Sequence, residues 1–182
     1  PGVIVAAIVQ ESIKNDRVVL ALSAMSSYVK SEGTTSKLIE AADAALSGGD
    51  YFRIVDYLEE HHTTAIREMM DGRIREEITD QIKEELHSLK SFLDAIRVIG
   101  ELSARSQDVI IGTGEKLSAC IFAGLLNSMG IDAAYIDLAN IIEKPFPEAN
   151  QQFYAYVQSR LKEIIESCGV KIPVLTGYFG FV

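Results

Sequence analysis

Positive charge is scarce in this 182-residue sequence. Its 17 Lys and Arg stand against 26 Asp and Glu, a formal net charge of −9. Nucleic acid and anionic membrane surfaces both need basic protein surface, so neither is expected as a partner. Cysteine is scarce too. Cys120 and Cys168 lie far apart in apolar helical settings, which reads as two buried free thiols in a reducing compartment. No apolar run approaches the length of a transmembrane helix and no secretory signal is visible, so a cytoplasmic location is expected. His61, His62 and His87 lie on polar helices with no Cys or carboxylate at metal spacing. Adjacent histidines point to different sides of a helix, so no metal site is expected there. There is no internal repeat, low-complexity tract or linker.

What is present is an ordinary globular composition, 48% hydrophobic and 24% charged, with enough residues for one domain with its own core. Two periodicities alternate. Residues 3–13 read as a helix. Arg17 to Ser23 holds the run Val18-Val19-Leu20-Ala21-Leu22, of the kind found in buried parallel strands. Helices follow at 34–46, 51–70 and 73–100. The last carries Ile74, Ile78, Ile82, Leu86, Leu89, Leu93 and Ile96 at spacings of three or four. Its charged run from Arg73 to Lys90 reads as a solvated face with i,i+4 pairs. A further helix is expected over 115–129, stopped by Gly130 at its C′ position. Asp132 to Leu138 reads as a strand, Ile141-Ile142 as a short one, 149–167 as a helix and Lys171 to Tyr178 as the last strand. Asp108 to Ile111 suits a strand or a short helix equally. The alternation predicts an α/β fold with a mostly parallel sheet.

In open α/β sheets, ligands bind beyond the carboxyl ends of the strands. Three segments fall there: Ser23-Ala24-Met25-Ser26, Gly33-Thr34-Thr35-Ser36 and Thr176-Gly177-Tyr178-Phe179-Gly180. Small hydroxyl residues and glycines offer hydrogen bonds without bulk, which suits a carboxylate or phosphate. Each also has a plain structural use: Thr34 or Thr35 suits an N-cap, and Ser after a strand is common turn chemistry. The segment Gly112-Thr113-Gly114-Glu115-Lys116-Leu117-Ser118-Ala119 adds a carboxylate directly after two glycines, at the expected start of an apolar helix. Such a Glu suits a cationic ligand group or offsets the helix dipole. The spacing Gly112-x-Gly114-x-x-x-Ser118 lacks the third glycine of a dinucleotide fingerprint.

Taken in order, Ser23-Ala24-Met25-Ser26, Gly33-Thr34-Thr35-Ser36-Lys37-Leu38, Gly114-Glu115-Lys116-Leu117-Ser118 and Thr176-Gly177-Tyr178-Phe179-Gly180 resemble the aspartokinases of the amino acid kinase superfamily. The helical insertion over about 47–103 is most similar to that of the fungal enzymes. The resemblance covers nearly the whole chain. It implies one αβα sandwich with a mostly parallel sheet, and an enzyme that phosphorylates the side-chain carboxylate of L-aspartate with ATP and Mg2+ as a homo-oligomer. The product, aspartyl phosphate, feeds threonine, methionine and, in some organisms, lysine synthesis. By position, the resemblance implies that Ser23 and Thr35 contact the aspartate substrate and that Glu115 holds its ammonium. It places Tyr178 where an aromatic, usually Phe, packs near the substrate.

The family's phosphate-stabilising lysine is expected upstream of Pro1, and its nucleotide-binding segment and regulatory domains after Val182. The ends therefore read as cuts through a larger catalytic domain, and this chain alone is expected to be inactive. Lys37 and Lys116 are no substitutes, since each lies within a helix rather than a phosphate loop. Two alternatives stay open on the residues themselves. One is another kinase of the superfamily, acting on glutamate or an N-acetylated amino acid. The other is a non-enzymatic module that docks a partner through residues 51–100.

Overall fold

The computed structural model describes residues 2–27 and 29–178. Among these, three strands form one parallel sheet in the order β1-β3-β2, with β1 at Leu20–Leu22, β2 at Ala133–Ile136 and β3 at Ile172–Thr176. Leu20 lies opposite Val174 and Leu22 opposite Thr176; Ala133 lies opposite Ile172 and Ile136 opposite Leu175. Parallel neighbours need long crossovers, and helices supply them. The first helix, α1, is Gly2–Ser12. Helices α2 (Thr34–Ser47), α3 (Tyr51–Met69), α4 (Gly72–Ile99) and α5 (Ala104–Ser128) run between β1 and β2, and α6 (Gln151–Ser167) between β2 and β3.

The central strand β3 is buried at all five residues, so no alternation shows in its sequence. Its two faces meet different helices. Ile172 and Val174 belong to the main core with Leu117, Ile121 and Leu125 of α5. Leu175 joins a second cluster with Leu138 and Ile141, against which Leu161 and Ile164 of α6 pack. Helices therefore cover both faces, as an αβα sandwich requires. The antiparallel pair α3 and α4 packs on α2 and α5 along the stripe Ile78, Ile82, Leu86, Leu89, Leu93 and Ile96. Tyr51, fully buried, donates its hydroxyl to Asp94 across that pair.

Several expected boundaries shift. The helix expected over 115–129 begins at Ala104 instead, where the Ser103 side chain accepts the Ser106 N–H at 3.1 Å. Asp108 to Ile111 is thus helical, and Gly112 and Gly114 lie inside a helix, not before one. Gly130, at φ 76°, follows its end in the expected C′ position. This 25-residue helix is also long and apolar enough, by length and composition, to cross a membrane, which corrects the expectation that no such run exists. Its most apolar window is 72% buried inside the fold, as a core helix must be. The run at 17–23 is a strand only over Leu20–Leu22, because pairing with β3 begins opposite Val174. Ile141-Ile142 forms no strand; Ile141 is buried against Leu138 and Leu175 instead. Of the two free cysteines, Cys120 is buried and Cys168 only half-buried.

Helix α5 touches α4 closely at Gly124. A Cβ there would lie 2.5 Å from Cγ1 and 2.8 Å from Cδ1 of Ile78. Alanine in a helix interior is normally worth about 1 kcal/mol over glycine, whereas overpacking a core costs about 1–3 kcal/mol. Gly124→Ala is therefore expected to lower the thermal unfolding midpoint. A raised midpoint would show that Ile78 moves aside freely.

Candidate functional site at the strand ends

The candidate site forms where β1 and β3 end. Beyond the strand pairing, the Gly177 N–H donates to the Leu22 carbonyl at 2.9 Å. Thr176, buried, turns the chain here. Its hydroxyl accepts the Leu138 N–H at 3.0 Å and donates to the Tyr178 carbonyl at 2.9 Å. The strand-end turn is thereby tied to the loop after β2.

Glu115 reaches this turn from the middle of α5. Its carboxylate accepts the Tyr178 backbone N–H. A Cβ on Gly177 would lie 3.1 Å from one carboxylate oxygen, 3.4 Å from the other and 3.2 Å from the Leu22 carbonyl. Glycine at 177 thus keeps the approach to both oxygens open. A carboxylate has about four acceptor sites, so one N–H leaves room for a small cation. The expectation that Glu115 opens a helix is corrected: it lies well inside α5, far from that helix's own N-terminus.

Gly112 and Gly114 explain how α5 comes so close. A Cβ on Gly112 would lie 2.8 Å from Cδ1 of the Tyr178 ring. A Cβ on Gly114 would lie 2.9 Å from Ala24 Cβ, 3.0 Å from Thr34 Cγ2 and 3.1 Å from Leu38 Cδ1. The four segments singled out from the sequence therefore meet on one stretch of α5. Ser23, exposed, directly follows β1 and precedes Ala24. Thr35, exposed, follows Thr34 in the first turn of α2. Tyr178 is half-buried; burial first and the charge of Asp108 second push its phenol up, and Arg105 opposes them. Phe179 and Gly180 lie outside the described residues.

Thr34 is no N-cap. Gly33 takes that position without a side-chain bond, and Thr34, buried, donates its N–H to the Met25 carbonyl at 3.2 Å. Its hydroxyl lies 3.4 Å from His62 Nε2 on α3. His62 is fully buried, not polar surface as its neighbours in sequence suggest. The signal was present: Tyr51, Val55, Leu58, His62 and Ile66 recur at three and four along α3, so His62 occupies a core position.

A second arrangement that the sequence did not disclose surrounds Lys116. Its ammonium lies 3.0 Å from Asp137, just past β2, and 3.5 Å from Glu85 of α4. Burial works against that charge, but the hydrogen bond it donates to Asp137 and the charges of Glu85 and Asp137 outweigh it and hold the ammonium above its ordinary value. Successive residues of α5 thus face different ways: Glu115 to the β1 and β3 ends, Lys116 to the β2 end and α4. Among the described residues no group of three or more His, Cys, Asp or Glu is placed to hold a metal. A groove of about 870 Å³ between α3 and α4 is lined by charged and hydroxyl side chains such as Asp56, Glu59, Arg67 and Thr79. It shares no lining residue with the strand-end cluster.

The model of the amino acid kinase family matches residues 4–182. The chain belongs to the amino acid kinase family. Among family relatives, the aspartokinase of Schizosaccharomyces pombe is 38% identical over 180 residues, covering 96% of this chain and 35% of that protein. That of Saccharomyces cerevisiae is 33% identical, covering 92% of this chain and 33% of that protein. This amino acid kinase chain thus spans about a third of the length of these curated relatives. The crystal structure of Escherichia coli aspartokinase III in complex with aspartate and ADP shares the fold, with a TM-score of 0.71, 19% identity and 96% of this chain covered against 36% of that one.

Burial, partly offset by the hydrogen bond to Leu58, lowers the His62 pKa from 6.5 to about 4, and nearby His61 adds to the shift. The folded value lies below the unfolded one, so the unfolded chain takes up the proton first. The stability that neutral His62 contributes is complete above pH 6.5 and is lost as pH falls toward 4. The size is on the order of 3 kcal/mol. Denaturant unfolding at a series of pH values is expected to show this loss, and His62→Gln to flatten it. Equal pH dependence in the two proteins would contradict a buried neutral His62.

Proposed function

We propose that this chain is the amino-acid-binding part of an aspartate kinase. The intact enzyme transfers the γ-phosphoryl group of ATP to the side-chain carboxylate of L-aspartate, giving aspartyl phosphate for threonine and methionine synthesis and, in some organisms, lysine synthesis. It works in the cytoplasm as a homo-oligomer. The observation that carries the reading is the Glu115 carboxylate at the ends of β1 and β3, braced by the Tyr178 N–H and left open on the Gly177 side. The family membership, the fungal aspartokinase relatives and the aspartate complex of the E. coli structure support the same substrate class.

In this reading Glu115 holds the ammonium of aspartate. The hydroxyls of Ser23 and Thr35 receive carboxylate oxygens, and Tyr178 packs beside the bound amino acid. The division suits the chemistry. Phosphoryl transfer depends mostly on positioning and charge stabilisation, and an amino acid gripped at its ammonium presents its side-chain carboxylate in one orientation. ATP supplies the phosphoryl group. Magnesium belongs to the reaction, but the described residues do not fit a site for it. No three acidic or metal-ligating groups converge, and Asp137 is committed to Lys116 and the Ala139 N–H. The work of this chain is therefore binding and orientation.

Glu115→Ala in the full-length protein would leave the substrate ammonium unpaired in a half-buried site. A charge-assisted hydrogen bond is worth about 1.5–3 kcal/mol, so the aspartate KM is expected to rise about tenfold or more with the ATP KM little changed. Steady-state kinetics over an aspartate series check it. An unchanged aspartate KM and rate would reduce Glu115 to a brace for the Tyr178 turn.

A further inference from the structure

The helical pair α3–α4 is not an appendage to the strand-end cluster. One of its buried polar groups is directed at the turn that carries Thr35. His62 Nδ1 lies 2.7 Å from the Leu58 carbonyl. A carbonyl can only accept, so Nδ1 carries the proton, and in a neutral ring Nε2 is then the acceptor. The group facing Nε2 is the Thr34 hydroxyl, at 3.4 Å, which must donate. Both residues are buried, out of contact with bulk water.

Thr34 is gripped on three sides. His62 takes its hydroxyl, the Met25 carbonyl takes its N–H, and its methyl packs against Gly114 of α5, one residue from Glu115. Its two chain neighbours are the uncapped Gly33 and Thr35. The start of α2 therefore owes its position to these tertiary contacts and not to a side-chain cap of its own. We infer that His62 is a positioning residue for the amino-acid site: through its bond to the Thr34 hydroxyl it sets where Thr35 stands relative to Ser23 and Glu115. This rests on the aspartate-site reading above. A displacement near 1 Å of a substrate-positioning group can cost up to about a hundredfold, so a single interhelical bond is enough to matter.

The test uses the full-length protein and four variants: Thr34→Val, Thr34→Ser, His62→Gln and the double variant Thr34→Val/His62→Leu. Thr34→Val is expected to raise the aspartate KM about three- to tenfold with little change in the ATP KM. Thr34→Ser keeps the hydroxyl and His62→Gln keeps an acceptor, so both are expected to stay within about twofold of wild type. The double variant removes both polar partners together and leaves no buried group unpaired, so it keeps its fold where a single variant does not. Its raised aspartate KM supports the inference. A wild-type KM in the folded double variant overturns it and leaves His62 as packing alone. Equal effects on aspartate and ATP overturn it as well. The underlying reading fails separately, and visibly, if the wild-type protein itself shows no aspartate-dependent turnover.

Discussion

Everything at the strand ends depends on how closely α5 approaches the turns around it. Glycines inside a helix cost roughly 1 kcal/mol each against alanine, and α5 carries them at 112, 114 and 124. That cost, on the order of 3 kcal/mol in total, would be pointless in a free-standing helix. Here each glycine removes a Cβ that would meet Tyr178, Ala24 and Thr34, or Ile78 at 3.0 Å or less. The helix is thereby lowered onto β1, β3 and the start of α2. Only at that depth can Glu115, one residue after Gly114, reach the N–H of Tyr178.

The same depth fixes what surrounds the carboxylate. Exposed ion pairs are worth little, and the charged faces of α3 and α4 carry many of them, Arg73 to Glu77 among them. The pairing of Lys116 with Asp137 and Glu85 differs because it is partly withdrawn from water and joins three separate elements. It holds α5 to the end of β2 while Glu115 holds it to the ends of β1 and β3. With His62 on Thr34, α3 and α4 both make polar contacts beside the site. A site framed in this way suits a small, rigidly held ligand better than a large or flexible one.

The fold was legible wherever one periodicity ran unbroken. The stripe of α4 and the apolar run of β3 state their burial directly, and the strand-end segments follow from parallel topology. Legibility failed at α5, because Gly112-Thr113-Gly114 has the local signature of a helix boundary and the tertiary contacts that keep it helical come from residues 24, 34 and 178. It failed at His62 for the opposite reason. A polar residue type obscured a core position that spacing alone marks. Ser23, Thr35 and Tyr178 were legible as members of strand-end segments, and Glu115 as the charge after a glycine pair, the four in a set order. The Lys116 pairing and the Thr176 bridge were not, since each joins elements whose proximity no local pattern encodes. The roles proposed for the four residues go beyond what motif order alone carries.

The central claim is that Glu115 recognises the ammonium of a small amino acid. The most direct measurement is calorimetric binding of L-aspartate and of succinate, which lacks only the ammonium, to the full-length protein and to Glu115→Gln. The account predicts that the wild-type protein prefers aspartate by about tenfold or more and that this preference collapses in the variant. An aspartate-to-succinate ratio that is the same in both proteins would contradict it.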